Sequence, residues 1–153
     1  TVSGSTRCVK TLQMIQLQKV ISAVGMFAIF EAHLQDQLNC EHGFRKANQI
    51  LKIAGQVELC QQFMKLQDAI NILKHGRGRS YEKLLEISET LSFRTKDVDE
   101  LFFNEDDVSA VFTLIEVDDR FVELCADVIY RVSTVLNNLN GKGDFMSTNK
   151  SES

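Results

Sequence analysis

No proline occurs anywhere in the 153 residues. Proline is the residue that most reliably ends or kinks a helix, so long stretches of this chain are free to stay helical. Where the backbone loosens, glycine does it. The eight glycines fall mostly between segments whose apolar residues recur at three- and four-residue steps. The first segment runs from about Arg7 to Asn39, with Leu17, Val20, Ile21, Val24, Phe27, Ala28, Leu34 and Leu38 on one face. Thr6 is placed to cap it and Gly43 to stop it in a left-handed conformation. The second, FRKANQILKIAG, stops at Gly55, and the third, QVELCQQFMKLQDAINILKHG, stops at Gly76. Its apolar face comprises Val57, Leu59, Cys60, Phe63, Met64, Leu66, Ile70 and Leu73. Ser80 is placed to cap a short helix, YEKLLEIS, and Asp118 to cap a last one from about Asp119 to Asn138.

Between residues 90 and 117 the pattern changes. LSFRT alternates apolar and polar residues, and AVFTLIEV is rich in β-branched and aromatic ones. Both favour extended structure, joined by the acidic loop around Asn104 to Asp107. The expected fold is mainly α: a bundle of four to five helices with a small β-ribbon or irregular insertion around residues 91–117. It is read as one domain, residues 7–138, between a flexible N-terminus, 1–6, and a polar, disordered tail, 139–153.

The formal net charge is -4 and the pI about 5.4, which excludes a protein that grips nucleic acid along its whole surface. Any contact with a polyanion has to be a local patch. The four cysteines, Cys8, Cys40, Cys60 and Cys125, form no CxxC pair. Two disulfides stay open on arithmetic alone. The chain is long enough to hold a core without staples, and no signal peptide is recognisable, so reduced thiols and a cytoplasmic location are the reading. A removed leader also stays open, because the sequence starts at Thr1. The longest charge-free apolar stretch, Val20 to Phe30, is shorter than the roughly 20 residues a bilayer requires, so no membrane partner is expected.

One stretch departs from plain scaffolding: NILKHGRGRSYEKL, from Asn71 to Leu84. Read as structure, Lys74 and His75 complement the dipole at a helix C-terminus and Gly76 ends the helix. Read as chemistry, imidazole moves a proton near neutral pH, arginines such as Arg77 and Arg79 hold phosphate bidentately, and glycines admit a ligand close to the backbone. Asn71 lies four residues before His75, on the same helical face. It either orients the imidazole or contacts a ligand, or it is a polar residue satisfied at a helix interface. Glu31 is the second anomaly, a carboxylate amid the first helix's apolar stripe. It reads either as a structural ion pair across the bundle or as a carboxylate that orients His75 or a nearby cation. No metal site is expected: Cys40, His42 and Cys60 lack zinc spacing, and Glu105, Asp106 and Asp107 lack the calcium-loop pattern. No Walker loop, nucleophile elbow or dinucleotide fingerprint is present, so no cofactor is expected.

Three pieces carry a family resemblance: VGMFAIFEAHLQDQL, with its aromatic-Glu-Ala centre at Phe30, Glu31 and Ala32; NILKHGRGRSYEKL; and LFFNEDDVSAVFTLIEVDDRFVELCADVIYRVSTVL. Together they resemble the HEPN superfamily, small helical bundles of bacterial defence, toxin–antitoxin and stress systems, and in particular some of its uncharacterised members. The resemblance implies metal-independent RNA chemistry, a homodimer through the long helices, and an antitoxin or other protein partner. In active members an arginine about one turn ahead of the histidine holds the phosphate. Here His75 matches the histidine, but Ile70 and Asn71 occupy the arginine's positions. The expected function is therefore a non-catalytic module that binds RNA, nucleotide or a partner protein through the His75–Arg79 loop, with Asn71, Lys74, Arg77 and Arg79 as contacts. The alternative is an endoribonuclease with His75 as general acid–base, Glu31 beside it, and Arg77 or Arg79 as the phosphate clamp.

Overall fold

A computed structural model describes residues 2–95 and 114–141. Among them the protein is a bundle of five α-helices: α1 (Val2–Gln37), α2 (Gly43–Ile53), α3 (Val57–His75), α4 (Arg79–Glu86) and α5 (Asp119–Gly141), with a 3-10 turn at Ser88–Thr90. The helix α1 starts at Val2, ahead of the expected Arg7; no proline stands between the two, and Gly4 is taken up within the helix. The helix α5 carries on past Asn138 to Gly141. The remaining tail, 142–153, lies outside the described residues.

The helices α1 and α5 run side by side in the same direction. Gln16 Nε2 donates to the Val117 carbonyl at 2.8 Å, Lys19 pairs with Asp119 at 3.2 Å, and Gln37 Nε2 donates to Asn137 Oδ1 at 3.0 Å. The remaining helices pack around α3, which touches α1, α2, α4 and α5. The core runs through all five helices, with Phe27, Phe63, Phe121, Leu34, Leu66 and Leu84 among its fully buried side chains. No polar or charged residue is buried among the described residues.

The apolar stripe of α1 overlaps the expected one only in part: Phe27 and Leu34 are buried and Val20, Val24 and Leu38 pack against the core, but the stripe is rotated toward Ala23 and Phe30. Ala23, Phe27, Phe30 and Leu34 are buried, whereas Leu17, Ile21 and Ala28 are exposed. A helix that is apolar nearly all round gives periodicity little to choose from. By length and apolar content the segment Gly4–Gln37 also meets the minimum for a membrane span, although its central face packs into the bundle. The expected face of α3 holds more closely: Leu59, Cys60, Phe63, Leu66 and Ile70 are buried, while Val57 and Met64 face outward.

Helix ends follow local rules with three changes. Asp118 caps α5, accepting from the Phe121 N–H at 2.8 Å. Gly55 and Gly76, with φ of 77° and 75°, supply the turns after α2 and α3. The left-handed residue after α1 is Asn39, with φ of 49°; Gly43 instead opens α2. Ser80 is not the cap of α4. Gly78 holds that position, and the Ser80 hydroxyl donates to Asp68 Oδ1 on α3 at 3.3 Å. Nor does Thr6 cap α1, since it lies inside the helix.

Of the expected ribbon around residues 91–117, a single antiparallel bridge between Thr95 and Ile115 is described, and no strand forms among the described residues. The Glu116 N–H donates to the Arg94 carbonyl at 2.9 Å beside it. The acidic loop around Asn104 to Asp107 lies outside the described residues.

Candidate functional site

Four phenylalanines set the geometry where α1, α2 and α3 meet. Phe44 stands edge-on to Phe63, centroids 5.3 Å apart, and Phe27 stacks on Phe63 at 6.0 Å. Phe30 completes the cluster, 6.0 Å from Phe63. Such offset and T-shaped pairs fix ring positions more tightly than aliphatic packing does. The start of α2 is held against α1 by Gly43, which is buried. A Cβ there would lie 2.8 Å from the Glu31 carbonyl oxygen and 3.0 Å from Leu34 Cβ, so only glycine permits this approach. A reciprocal amide pair locks α2 to α3: Asn48 Nδ2 donates to Gln67 Oε1 at 3.3 Å, and Gln67 Nε2 to Asn48 Oδ1 at 3.0 Å.

Above this cluster opens a cleft of about 220 Å³. Its floor is apolar, formed by Val24, Phe27, Ala28, Phe44 and Ile70. Its rim is polar: Glu31 from α1, His42 and Arg45 at the start of α2, Asn71 and Lys74 near the end of α3. Glu31 is half-buried rather than enclosed in the apolar stripe. Among the described residues, none of these five side chains makes a hydrogen bond or ion pair to the protein; the ion pairs described join Lys19 to Asp119, Arg94 to Glu116 and Arg131 to Asp127. The structural ion pair expected for Glu31 is thus not formed. Five polar groups converge on one cleft with their bonding capacity unspent.

Backbone electrostatics add to the positive rim. No side chain caps the N-terminus of α2, and no acidic residue stands in its first turn. The first N–H groups of a helix carry partial positive charge and lack intrahelical partners. The opposite holds at the end of α3, where Lys74 and His75 offset the carbonyl end of the helix.

The sequence-derived candidates separate into two groups. Glu31, Asn71 and Lys74 line the cleft. His75, Arg77 and Arg79 do not; all three are exposed at the end of α3 and the start of α4. Lys74 links the groups, since it stands on the cleft rim and immediately precedes the loop. No hydrogen bond or ion pair joins Glu31 to His75 among the described residues. Sequence reasoning missed His42 and Arg45, although a signal was present. Arg45 and Lys46 fall in the first turn of α2, where the dipole disfavours cations, and CEHG offers no capping oxygen. Local rules broken without visible compensation concentrate at functional or strained sites.

A second cleft, about 270 Å³, lies between Leu91–Arg94 and Glu116–Phe121. Its guanidinium at Arg94 is already engaged by Glu116 at 3.6 Å. With that cation spent on an ion pair, the α1–α2–α3 cleft is the stronger candidate. No cluster of three metal-ligating side chains occurs among the described residues.

No family model matches the chain, and no curated protein or solved structure matches it either.

Proposed function

We propose that this chain is a HEPN-like helical module of a bacterial defence or stress system that binds the phosphates of RNA, or of a nucleotide, without cleaving them. One observation carries the reading: Arg45, Lys74 and His42 face a single cleft with no side-chain partner among the described residues, and His75, Arg77 and Arg79 stand exposed where α3 passes into α4. On a body of net charge -4 this is a local anion seat, the form of polyanion contact that the composition allows. Guanidinium groups match phosphate bidentately, and the uncapped start of α2 adds oriented N–H groups.

Two features support binding over cleavage. His75 lies outside the cleft that Glu31 faces, and no arginine stands at positions 70 or 71, which Ile70 and Asn71 occupy. General acid–base catalysis requires its groups within hydrogen-bond reach of one reacting atom. The same reading expects a cytoplasmic homodimer through α1, whose Leu12, Met14, Leu17 and Ile21 are exposed.

The test is fluorescence anisotropy with a labelled short single-stranded RNA, alongside a gel assay for cleavage in EDTA. Binding should weaken with salt at a log–log slope of about -1.4, the value for two neutralised phosphates. Arg45→Ala and Lys74→Ala should each weaken it several-fold, and the RNA should stay intact with wild type and His75→Ala alike. Binding unaffected by both cleft substitutions contradicts the reading, and cleavage lost in His75→Ala replaces it with an endoribonuclease.

A further inference from the structure

Among the described residues Glu31 is the one carboxylate on the rim of the cleft, and a phosphate-binding surface has no use for it. A carboxylate beside phosphate repels it, so whatever enters has to present hydrogen-bond donors to Glu31 and negative charge to Arg45 and Lys74. Resting on the phosphate-binding reading above, we infer that the cleft takes one nucleotide with its base inserted, and that Glu31 selects guanine.

The dimensions and the lining fit a single base. At about 220 Å³ the cleft is smaller than the roughly 300–1,000 Å³ of drug-sized pockets, so it holds one planar ring system and leaves the phosphate at the rim. Phe44 and Val24, both half-buried in the cleft floor, supply apolar surface against which a base packs. Arg45 and Lys74 stand at the rim to take the phosphate.

Donor patterns then choose among the bases. An ionised carboxylate only accepts hydrogen bonds, and its two oxygens suit two adjacent donors. Guanine offers N1–H and the N2 amino group side by side. Adenine and cytosine each present one amino group beside a ring nitrogen that accepts, and uracil presents one N–H between two carbonyls. Those neighbouring acceptors face the carboxylate with like partial charge. The Asn71 amide, which both donates and accepts, has no partner among the described residues and is available to meet a carbonyl or ring nitrogen on the same base.

The experiment is a titration of the full chain with GMP, AMP, CMP and UMP, followed by amide chemical shifts, and repeated on Glu31→Gln. GMP should bind about tenfold more tightly than the other three, the discrimination of one good bidentate pair. In Glu31→Gln the tenfold preference for GMP should disappear, with GMP weaker and AMP at least as tight as in wild type, because the amide replaces one acceptor with a donor and removes the charge that repels phosphate and the adenine ring nitrogen. A folded spectrum for the variant, with AMP binding retained, separates loss of selection from loss of structure. Equal affinity for all four nucleotides overturns the guanine inference and leaves phosphate binding standing. RNA binding that persists without any mononucleotide binding overturns base insertion. Loss of RNA binding as well brings down the underlying reading.

Discussion

Gly43 sits so close to Glu31 that a Cβ on it would lie 2.8 Å from the Glu31 carbonyl oxygen. The contact is backbone against side chain, so no rotamer change relieves it, and α2 has to move away from α1. Forcing a methyl into such a contact costs about 1–3 kcal/mol. Helix propensity returns at most about 1 kcal/mol for glycine to alanine, and less in a first turn. Gly43→Ala should therefore lower the denaturation midpoint and weaken RNA binding together, since Arg45 moves with the helix. Chemical denaturation and anisotropy on the same sample check both. An alanine variant as stable as wild type would show that the helices are not held at this separation.

Asp68 and Ser80 join α3 to α4, with the hydroxyl donating to the carboxylate at 3.3 Å. Burial pushes the Asp68 carboxyl above its ordinary value of 3.8; the Lys83 charge and the Ser80 hydrogen bond pull the other way and lose. The folded protein thus holds this proton more tightly than the unfolded chain. Its contribution to stability is fully present below the unfolded pKa and is lost as pH rises through the raised folded value. Asp68→Asn keeps an acceptor for Ser80 and removes the half-buried charge. It should be more stable than wild type at pH 7, with the difference shrinking toward pH 4, as urea midpoints measure. A variant less stable at both pH values by the same amount would contradict this.

Thiol chemistry separates the four cysteines. Cys8 is exposed and Cys40 half-exposed, while Cys60 and Cys125 are buried. Burial raises the Cys60 thiol and pushes Cys125 up to about 12, and the thiolate is the reactive form. At pH 8, Cys8 and Cys40 should react with a disulfide reagent in the native protein, and Cys60 and Cys125 only after denaturant is added. Four thiols reacting at one rate in the native state would place α3 or α5 differently.

The exposed apolar residues of α1 bear on assembly. Met14 and Ile21 are 62% and 59% exposed on the helix that carries the expected dimer contact. Ile21→Glu should shift sedimentation equilibrium toward monomer while leaving helical content unchanged. A wild-type protein that is monomeric at tens of micromolar would remove the dimer from the proposal.

How much of this was legible in the sequence depends on how many alternatives each segment allowed. The ends of α2, α3 and α5 were readable because Gly55, Gly76 and Asp118 act through local backbone rules. The buried face of α1 was not, because Leu17 and Ile21 are as apolar as Phe27 and Leu34 and only the partner helices decide between them. Gly43 and Ser80 were assigned to capping, their commonest local use. Their actual partners, Glu31 and Asp68, lie on neighbouring helices and act through packing that a single sequence does not display. Glu31, Asn71 and Lys74 stood out one by one. Their convergence with His42 and Arg45 is a tertiary fact, set by the phenylalanine cluster beneath them.

Assigned amide chemical shifts, titrated with a short single-stranded RNA, locate the contact residue by residue. The account predicts that Phe44–Lys46 at the start of α2 and Lys74–Arg79 at the end of α3 shift together and saturate at one affinity. Shifts confined to another surface, or none at RNA concentrations well above the protein's, would contradict it.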